Sequence, residues 1–221
     1  MNCMRTTIAI FSAYLLLAGI TMNCYASANP LFQHPFYLGV TGGYGKTTGG
    51  GLVPEEDKQN SAIIISTPKY VNEGGVLWGL FAGYEFIPNF ALEAAYNRYP
   101  DAKVNFDPSS LFSFEHDGLT SFTTQTETVS LIAKLMLIIP TTNIRAYSSL
   151  GAAEVHRDDQ INNHWSTSPT FGAGFNYPFT DRIMGEFGGN YTAGRGEAEL
   201  NPVNDYYPFL YSVFFRLAYR F

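Results

Sequence analysis

The sequence predicts an all-β protein: an eight-stranded antiparallel up-and-down transmembrane β-barrel preceded by a cleaved signal peptide. Three observations predict it. In the last eleven residues Phe221, Tyr219, Leu217, Phe215, Val213 and Tyr211 fall on one face of a strand, and Arg220, Ala218, Arg216, Phe214 and Ser212 on the other. One face is wholly apolar while the other carries two guanidinium groups, as a wall with lipid outside and a polar interior requires. The first 28 residues have the pattern of an export signal, and the chain between divides into alternating segments joined by short and long connections in turn.

Residues 1–28 carry Arg5 as their one charge, an apolar run from Ile8 to Ile20, and Ala26-Ser-Ala28 as a small-x-small cleavage pattern. The run is short for a membrane helix, which needs about 20 apolar residues. Cys24 raises a lipoprotein alternative, but Thr21-Met-Asn lacks the small residue expected before a lipidated Cys. Cleavage after Ala28 removes both cysteines, Cys3 and Cys24, and leaves a barrel domain over 29–221 with no disulfide, thiol nucleophile or Cys-ligated metal. Its twelve basic and nineteen acidic side chains give a net charge of −7, which argues against a nucleic-acid surface. The mean hydropathy of −0.05 is too low for a helical membrane protein. Aromatic content of 16% with 21 glycines suits a barrel, half of whose strand positions face polar surroundings.

Eight strands follow by period two. In the first, Phe36, Leu38, Val40 and Tyr44 share a face with Gly42. In the second, Val76, Trp78, Leu80, Ala82, Tyr84 and Phe86 alternate with Leu77, Gly79, Phe81, Gly83 and Glu85. Ile87-Pro-Asn89 then turns the chain, since Pro fixes φ and offers no N–H to a ladder. The third sets Phe90, Leu92, Ala94 and Tyr96 against Ala91, Glu93, Ala95 and Asn97. The fourth sets Val129, Leu131, Ala133, Leu135 and Leu137 against Thr128, Ser130, Ile132, Lys134 and Met136. Pro140–Asn143 turns into the fifth, Ile144 to about Val155, with Arg145, Tyr147 and Ser149 on its polar side. The sixth sets Phe171, Ala173, Phe175, Tyr177 and Phe179 against Thr170, Gly172, Gly174 and Asn176. The seventh, Ile183 to Tyr191, carries Glu186 and Asn190 inward, and the terminal strand is the eighth.

Connections after strands two, four and six are a few residues long. Those after one, three, five and seven are longer, roughly 46–73, 100–122, 156–166 and 192–205. Short periplasmic turns and long external loops are the expected asymmetry, which puts both termini in the periplasm. Tyr44, Trp78, Tyr96, Tyr191 and Tyr211 then fall near the outer interface, and Phe36, Tyr84, Phe90, Tyr177, Tyr219 and Phe221 near the inner one, as two aromatic girdles. A soluble sandwich or lipocalin also alternates; the export signal, terminal Phe and two aromatic levels favour the membrane.

Phe36-Tyr-Leu-Gly-Val-Thr-Gly-Gly-Tyr44, Gly79-Leu-Phe-Ala-Gly-Tyr84, Ala133-Lys-Leu135, Leu150-Gly151, Ser168-Pro169 and Tyr219-Arg-Phe221 together resemble the eight-stranded OmpA-type transmembrane domain. The resemblance covers nearly all of 29–221 and rests on order and spacing rather than on any one motif. It implies an outer-membrane protein whose terminal Tyr219 and Phe221 belong to the signal read by the barrel-assembly machinery. The OmpA family proper continues into a periplasmic peptidoglycan-binding domain, which the sequence does not show. The chain is closer to small stand-alone barrels, for which the family context implies membrane integrity, adhesion or serum resistance.

Inward charges carry the candidate site. Glu93, Lys134, Glu186 and Arg216 lie about four to six residues from the periplasmic end of their strands and are expected to meet at one level, pairing as Glu186 with Arg216 and Glu93 with Lys134. Glu85, Arg145 and Arg220 lie lower, as a second layer. An eight-stranded barrel is just wide enough for side chains to fill, and buried charges there must pair. The resemblance implies acidic and basic groups at comparable interior positions, which Glu93 and Lys134 match; Asn176 and Glu186 differ in type from that pattern. A plug is favoured over a conducting gate.

An enzyme, an outer-membrane protease or a lipid A-modifying enzyme, is the remaining class. His116-Asp117, and His156 with Asp158 and Asp159, fall in loops where omptin-like proteases activate water, and Ser166 and Ser168 lie near His164. Nothing in the spacing positions a general base, and His156, Asp158, Asp159 and His164 do not form a specific metal pattern. The expectation is a non-enzymatic barrel without metal or cofactor. Its partners are outer-membrane lipids, lipopolysaccharide, the barrel-assembly machinery and a host or environmental surface ligand at the loops, with a narrow porin-like channel as the runner-up.

Overall fold

A computed structural model describes residues 34–48, 68–106, 121–159, 163–195 and 207–221. The signal segment 1–28 with both cysteines, and His116-Asp117, lie outside them. Ten strands occur: β1 (Phe36–Thr47), β2 (Pro68–Asn72), β3 (Gly75–Ile87), β4 (Phe90–Arg98), β5 (Ala102–Phe106), β6 (Ser121–Ile138), β7 (Arg145–Asp158), β8 (Asn163–Pro178), β9 (Ile183–Thr192) and β10 (Leu210–Arg220). Eight of them close a cylinder in the order β6-β4-β3-β1-β10-β9-β8-β7, with β7 returning to β6. All pairings are antiparallel. The first and last strands join over eleven residue pairs from Tyr37↔Arg220 to Thr47↔Leu210, and the amide of Phe221 donates to the carbonyl of Phe36 at 2.8 Å. Within the lipid-facing part of the cylinder no strand is left as an edge, so the ladder groups there have a neighbour on both sides.

Burial alternates strictly along β10, with every second residue buried from Leu210 to Arg220. On β6, Leu135 is 57% exposed while the next residue, Met136, is 2% exposed. The exposed set is apolar and the buried set contains the charges, the inverse of a soluble barrel. Between Tyr211 and Phe221 the exposed stripe runs ten residues, about 33 Å along the strand or about 25 Å along the axis at a tilt of about 40°. That is the height of a lipid-facing band. Tyr44, Trp78, Tyr96, Tyr191 and Tyr211 bound it at one end and Tyr84 and Tyr177 lie toward the other. Trp78 packs on Tyr96 at 5.9 Å, and Tyr191 on Tyr211 at 5.2 Å. Among the described residues, no helix is long and apolar enough to span a membrane.

Three tight connections share one end of the barrel. Pro88 and Asn89 join β3 to β4, and the Asn89 amide donates to the Met136 carbonyl at 2.8 Å, tying this turn to β6. Between β6 and β7 the turn places Thr141 at φ 65°, and Ile139 donates to Ile144 across its base. Phe179 donates to Ile183 across the third. Phe36 and Phe221 lie at this same short-turn end.

The opposite end differs from the sequence expectation. Strands β6, β7 and β8 continue well above the lipid-facing band, so residues expected in the third loop, including His156 and Ser166, belong to a long hairpin from Asp158↔Asn163 downward. Within the expected first and second loops, β2 pairs with β5 and β5 with the upper part of β6. Above the lipid band the outward face turns polar, so the apolar alternation that marks a barrel strand ends. The Thr-rich stretch Thr123–Thr128 still favours extended backbone through its β-branched side chains.

Candidate functional site

The barrel interior gathers the buried charges. Glu93 projects from β4, Lys134 from β6, Glu186 from β9 and Arg216 from β10, all inward by the parity of their strands. The structure closes the four into a ring rather than two separate pairs. Lys134 Nζ lies 2.7 Å from Glu93 Oε2 and 2.7 Å from Glu186 Oε2. Arg216 Nη1 lies 2.7 Å from Glu93 Oε1 and 3.2 Å from Glu186 Oε1. Each carboxylate therefore accepts from both cations, and two positive charges balance two negative ones. None of the four side chains is more than 4% exposed.

Two tyrosines complete the ring, and sequence reading missed them as members. The Tyr37 hydroxyl donates to Glu93 at 3.2 Å and the Tyr147 hydroxyl to Glu186 at 2.9 Å. The hydroxyl end of the Tyr37 ring lies over Gly83, where a Cβ would collide with it, and the Tyr147 hydroxyl lies over Gly174 and Gly188. Gly83 and Gly174 are the register partners of Tyr37 and Tyr147 on the neighbouring strands, and Gly188 is one strand further along. Glycine is needed there because each tyrosine lies along the inner wall, close over the adjacent backbone. The signal was in the sequence: both tyrosines sit on the inward parity, next to strands whose own inward positions carry glycines. The cations also stack on aromatic faces, Lys134 at 4.7 Å from the Tyr147 ring and Arg216 at 4.8 Å from Phe81 and 4.2 Å from Phe214.

A second layer lies nearer the short-turn end. Glu85 bridges Arg145, at 2.6 Å, and Arg220, and Arg145 Nε donates to Asn176 at 2.8 Å. Above the ring, at the long-loop end, Leu77, Tyr99, Val155, Tyr207, Leu210 and Phe214 form a buried apolar cluster that the sequence reading did not single out.

The other residues singled out from sequence separate. His156 sits on the outer surface, stacked on Trp165 at 4.5 Å, with Nδ1 3.0 Å from Glu127 and Nε2 3.2 Å from Asn163. Asp159 accepts from Arg157 at 2.6 Å, Asp158 accepts from Asn163, Ser166 and Ser168 are buried, and His164 is exposed. Among the described residues neither serine bonds to a histidine, and no group of His, Cys, Asp and Glu could hold a metal ion. Glu127 lies two residues above Val129, outside the lipid band. The hydrogen bond from the Tyr96 hydroxyl, at 2.7 Å, holds its carboxyl below the usual carboxylate range, with His156 adding to the effect against the cost of burial. Phe221 packs between Phe36 at 5.7 Å and Tyr219 at 5.0 Å, and Arg182 donates to the Tyr219 hydroxyl at 2.9 Å.

Comparison with known proteins agrees with this architecture. Neisserial surface protein A is 12% identical, with 84% of this chain and 97% of that one covered and a TM-score of 0.50. The outer membrane protein OprG from Pseudomonas aeruginosa is 13% identical over 85% of this chain and 96% of its own, with a TM-score of 0.48. The N-terminal barrel domain of Pseudomonas aeruginosa OprF is 16% identical over 84% and 97%, with a TM-score of 0.44. At such identity the likeness to the first shows the fold alone. No curated protein sequence matches significantly. The family description of the OmpA-like transmembrane domain matches residues 33–221. The chain therefore belongs to the OmpA-like transmembrane domain family and is an eight-stranded outer-membrane β-barrel.

Proposed function

We propose that the protein is a sealed outer-membrane scaffold with a structural and surface-interaction role, in adhesion or envelope integrity, and not an enzyme. The observation that carries this reading is the filled interior: two ion-paired layers cross the lumen, the upper with two carboxylates on two cations and the lower with Glu85 shared by Arg145 and Arg220. Strands β6, β7 and β8 stand above the lipid band and, with β2 and β5, offer an extended surface for a host or environmental ligand. The short-turn end, with both termini, faces the periplasm. Lipopolysaccharide surrounds the band, and Tyr219 with Phe221 presents the terminal signal to the barrel-assembly machinery. A narrow channel is the second reading, favoured by the hydroxyls of Thr41, Thr126, Thr128, Ser130, Thr170 and Ser212 buried in the interior. Conductance across a planar bilayer and binding to host-cell or envelope surfaces, measured on one refolded sample, separate the two. Binding without conductance is expected, and stable conductance in the unaltered protein would refute the sealed scaffold.

A further inference from the structure

We propose that the apolar cluster at the long-loop end is a second seal, independent of the ion-paired layers, so that loosening the ion pairs does not by itself make the barrel conduct. The inference deepens the sealed-scaffold reading and rests on it.

The cluster converges from separate parts of the wall. Leu77 comes from β3, Tyr99 from the link between β4 and β5, Val155 from β7, Tyr207 from the segment before β10, and Leu210 and Phe214 from β10 itself. Each is at most 5% exposed. Room for the approach comes from Gly45 on β1, where a Cβ would stand 3.0 Å from Tyr99 Cδ1 and 3.1 Å from Leu77 Cδ1. Backbone bonds hold the contributors: Tyr99 N–H donates to the Thr126 carbonyl at 3.0 Å, and Tyr207 and Arg195 exchange amide bonds at 2.7 and 3.0 Å.

Strand geometry places this cluster above the charges. On β10 the inward order is Leu210, Phe214, Arg216, Arg220, and on β3 it is Leu77, Phe81, Glu85. Tyr99 lies six residues beyond Glu93, about 20 Å along the chain path at strand rise. Phe214 is the floor of the cluster, its ring against the Arg216 guanidinium. The two seals oppose ions differently. Rearranged ion pairs would offer charge and hydrogen bonds to a passing ion, whereas an apolar constriction excludes ions by shedding water, whatever the charges below it do.

Single-channel conductance of the refolded protein tests this with three variants. Glu85→Gln/Glu186→Gln loosens both charged layers, Leu77→Ser/Leu210→Ser makes the upper cluster polar, and the third combines them. A heat-modifiable band confirms folding of each. The first two are expected at background and the combination at least about ten-fold above it. If the charge variant does not refold, Lys134→Gln/Arg145→Gln, in which Arg216 still bridges both ring carboxylates and Arg220 still pairs with Glu85, takes its place in both arms. Conduction by either partial variant overturns the proposal of two independent seals, as does a folded but silent combination. Conduction by the unaltered protein instead overturns the sealed scaffold itself.

Discussion

Replacing Glu186 with Gln is the sharpest perturbation of the interior ring. The carboxylate accepts from Lys134 at 2.7 Å, Arg216 at 3.2 Å and Tyr147 at 2.9 Å. An amide has one oxygen to offer, and its NH2 confronts groups that can only donate. Two cations are then left with one carboxylate, Glu93, in a lumen where the lost side chain was 1% exposed. Removing one partner of a buried pair costs about 3–5 kcal/mol. Glu93 still contacts both cations, so the lower end, about 3 kcal/mol, is expected. Lys134→Met leaves the opposite imbalance, at a similar cost of about 3 kcal/mol. The double variant restores one carboxylate to one guanidinium, Glu93 with Arg216 at 2.7 Å. It should lose about 3 kcal/mol rather than the additive value of about 6, a coupling near the upper end for contacting residues. Urea unfolding of the protein refolded in lipid vesicles, extrapolated linearly, measures each term. A double variant whose loss equals the sum of the singles within about 0.5 kcal/mol would refute the ring as a balanced unit.

Leu135→Arg on the lipid face should cost about 2–4 kcal/mol if its position is near the midplane, while Met136→Gln, one residue on and facing inward, should cost less by the same unfolding assay. Deleting Phe221 should lower surface abundance in cells while the refolded protein keeps its heat-modifiable band; equal abundance of the two chains would count against an assembly role. Gly83→Ala forces the Tyr37 ring off the neighbouring strand β3 and weakens its bond to Glu93, an overpacking cost of about 1–3 kcal/mol. Because Glu127 is held below its unfolded value of about 4.3, its contribution is present above that value and is lost as pH falls through the folded one. Tyr96→Phe should therefore lower the unfolding midpoint at neutral pH and have a diminishing effect below about pH 4; an unchanged difference at pH 3 would remove Glu127 as the cause.

The lipid band was legible because its rule is local. Each strand must alternate lipid-compatible and lumen-compatible side chains, and the aromatic levels of Trp78, Tyr96 and Tyr211 mark where that rule ends. The inward charges were legible for the same reason, as an ion on that parity has few other places to go. Their joining into one ring was not. It depends on strand stagger around the cylinder, which brings Lys134 of β6 within reach of Glu186 on β9, with β7 and β8 lying between them in the wall. The height of β7 and β8 was underestimated because His156, Trp165 and Thr167 lie outside lipid, where alternation carries no apolar signature. Cross-strand contacts such as the stacked His156 and Trp165 hold that region instead.

The two faces of this wall can therefore carry separate duties. Along β10, Phe215 and Leu217 meet lipid while Phe214 and Arg216 between them belong to the upper cluster and the ion-paired ring. A residue changed on one face leaves the other face's contacts in place, since consecutive side chains point in opposite directions. The upper hairpin adds a third independent region. From Asp158↔Asn163 to Ala153↔Ser168 it is held by pairing between β7 and β8 and by the β6 ladder, above the buried charges. Its outward side chains, Glu154, His156, Trp165 and Thr167, take no part in the ring or in the lipid band. The proposed surface role can thus be carried there without disturbing the ion-paired ring below or the lipid-facing contacts.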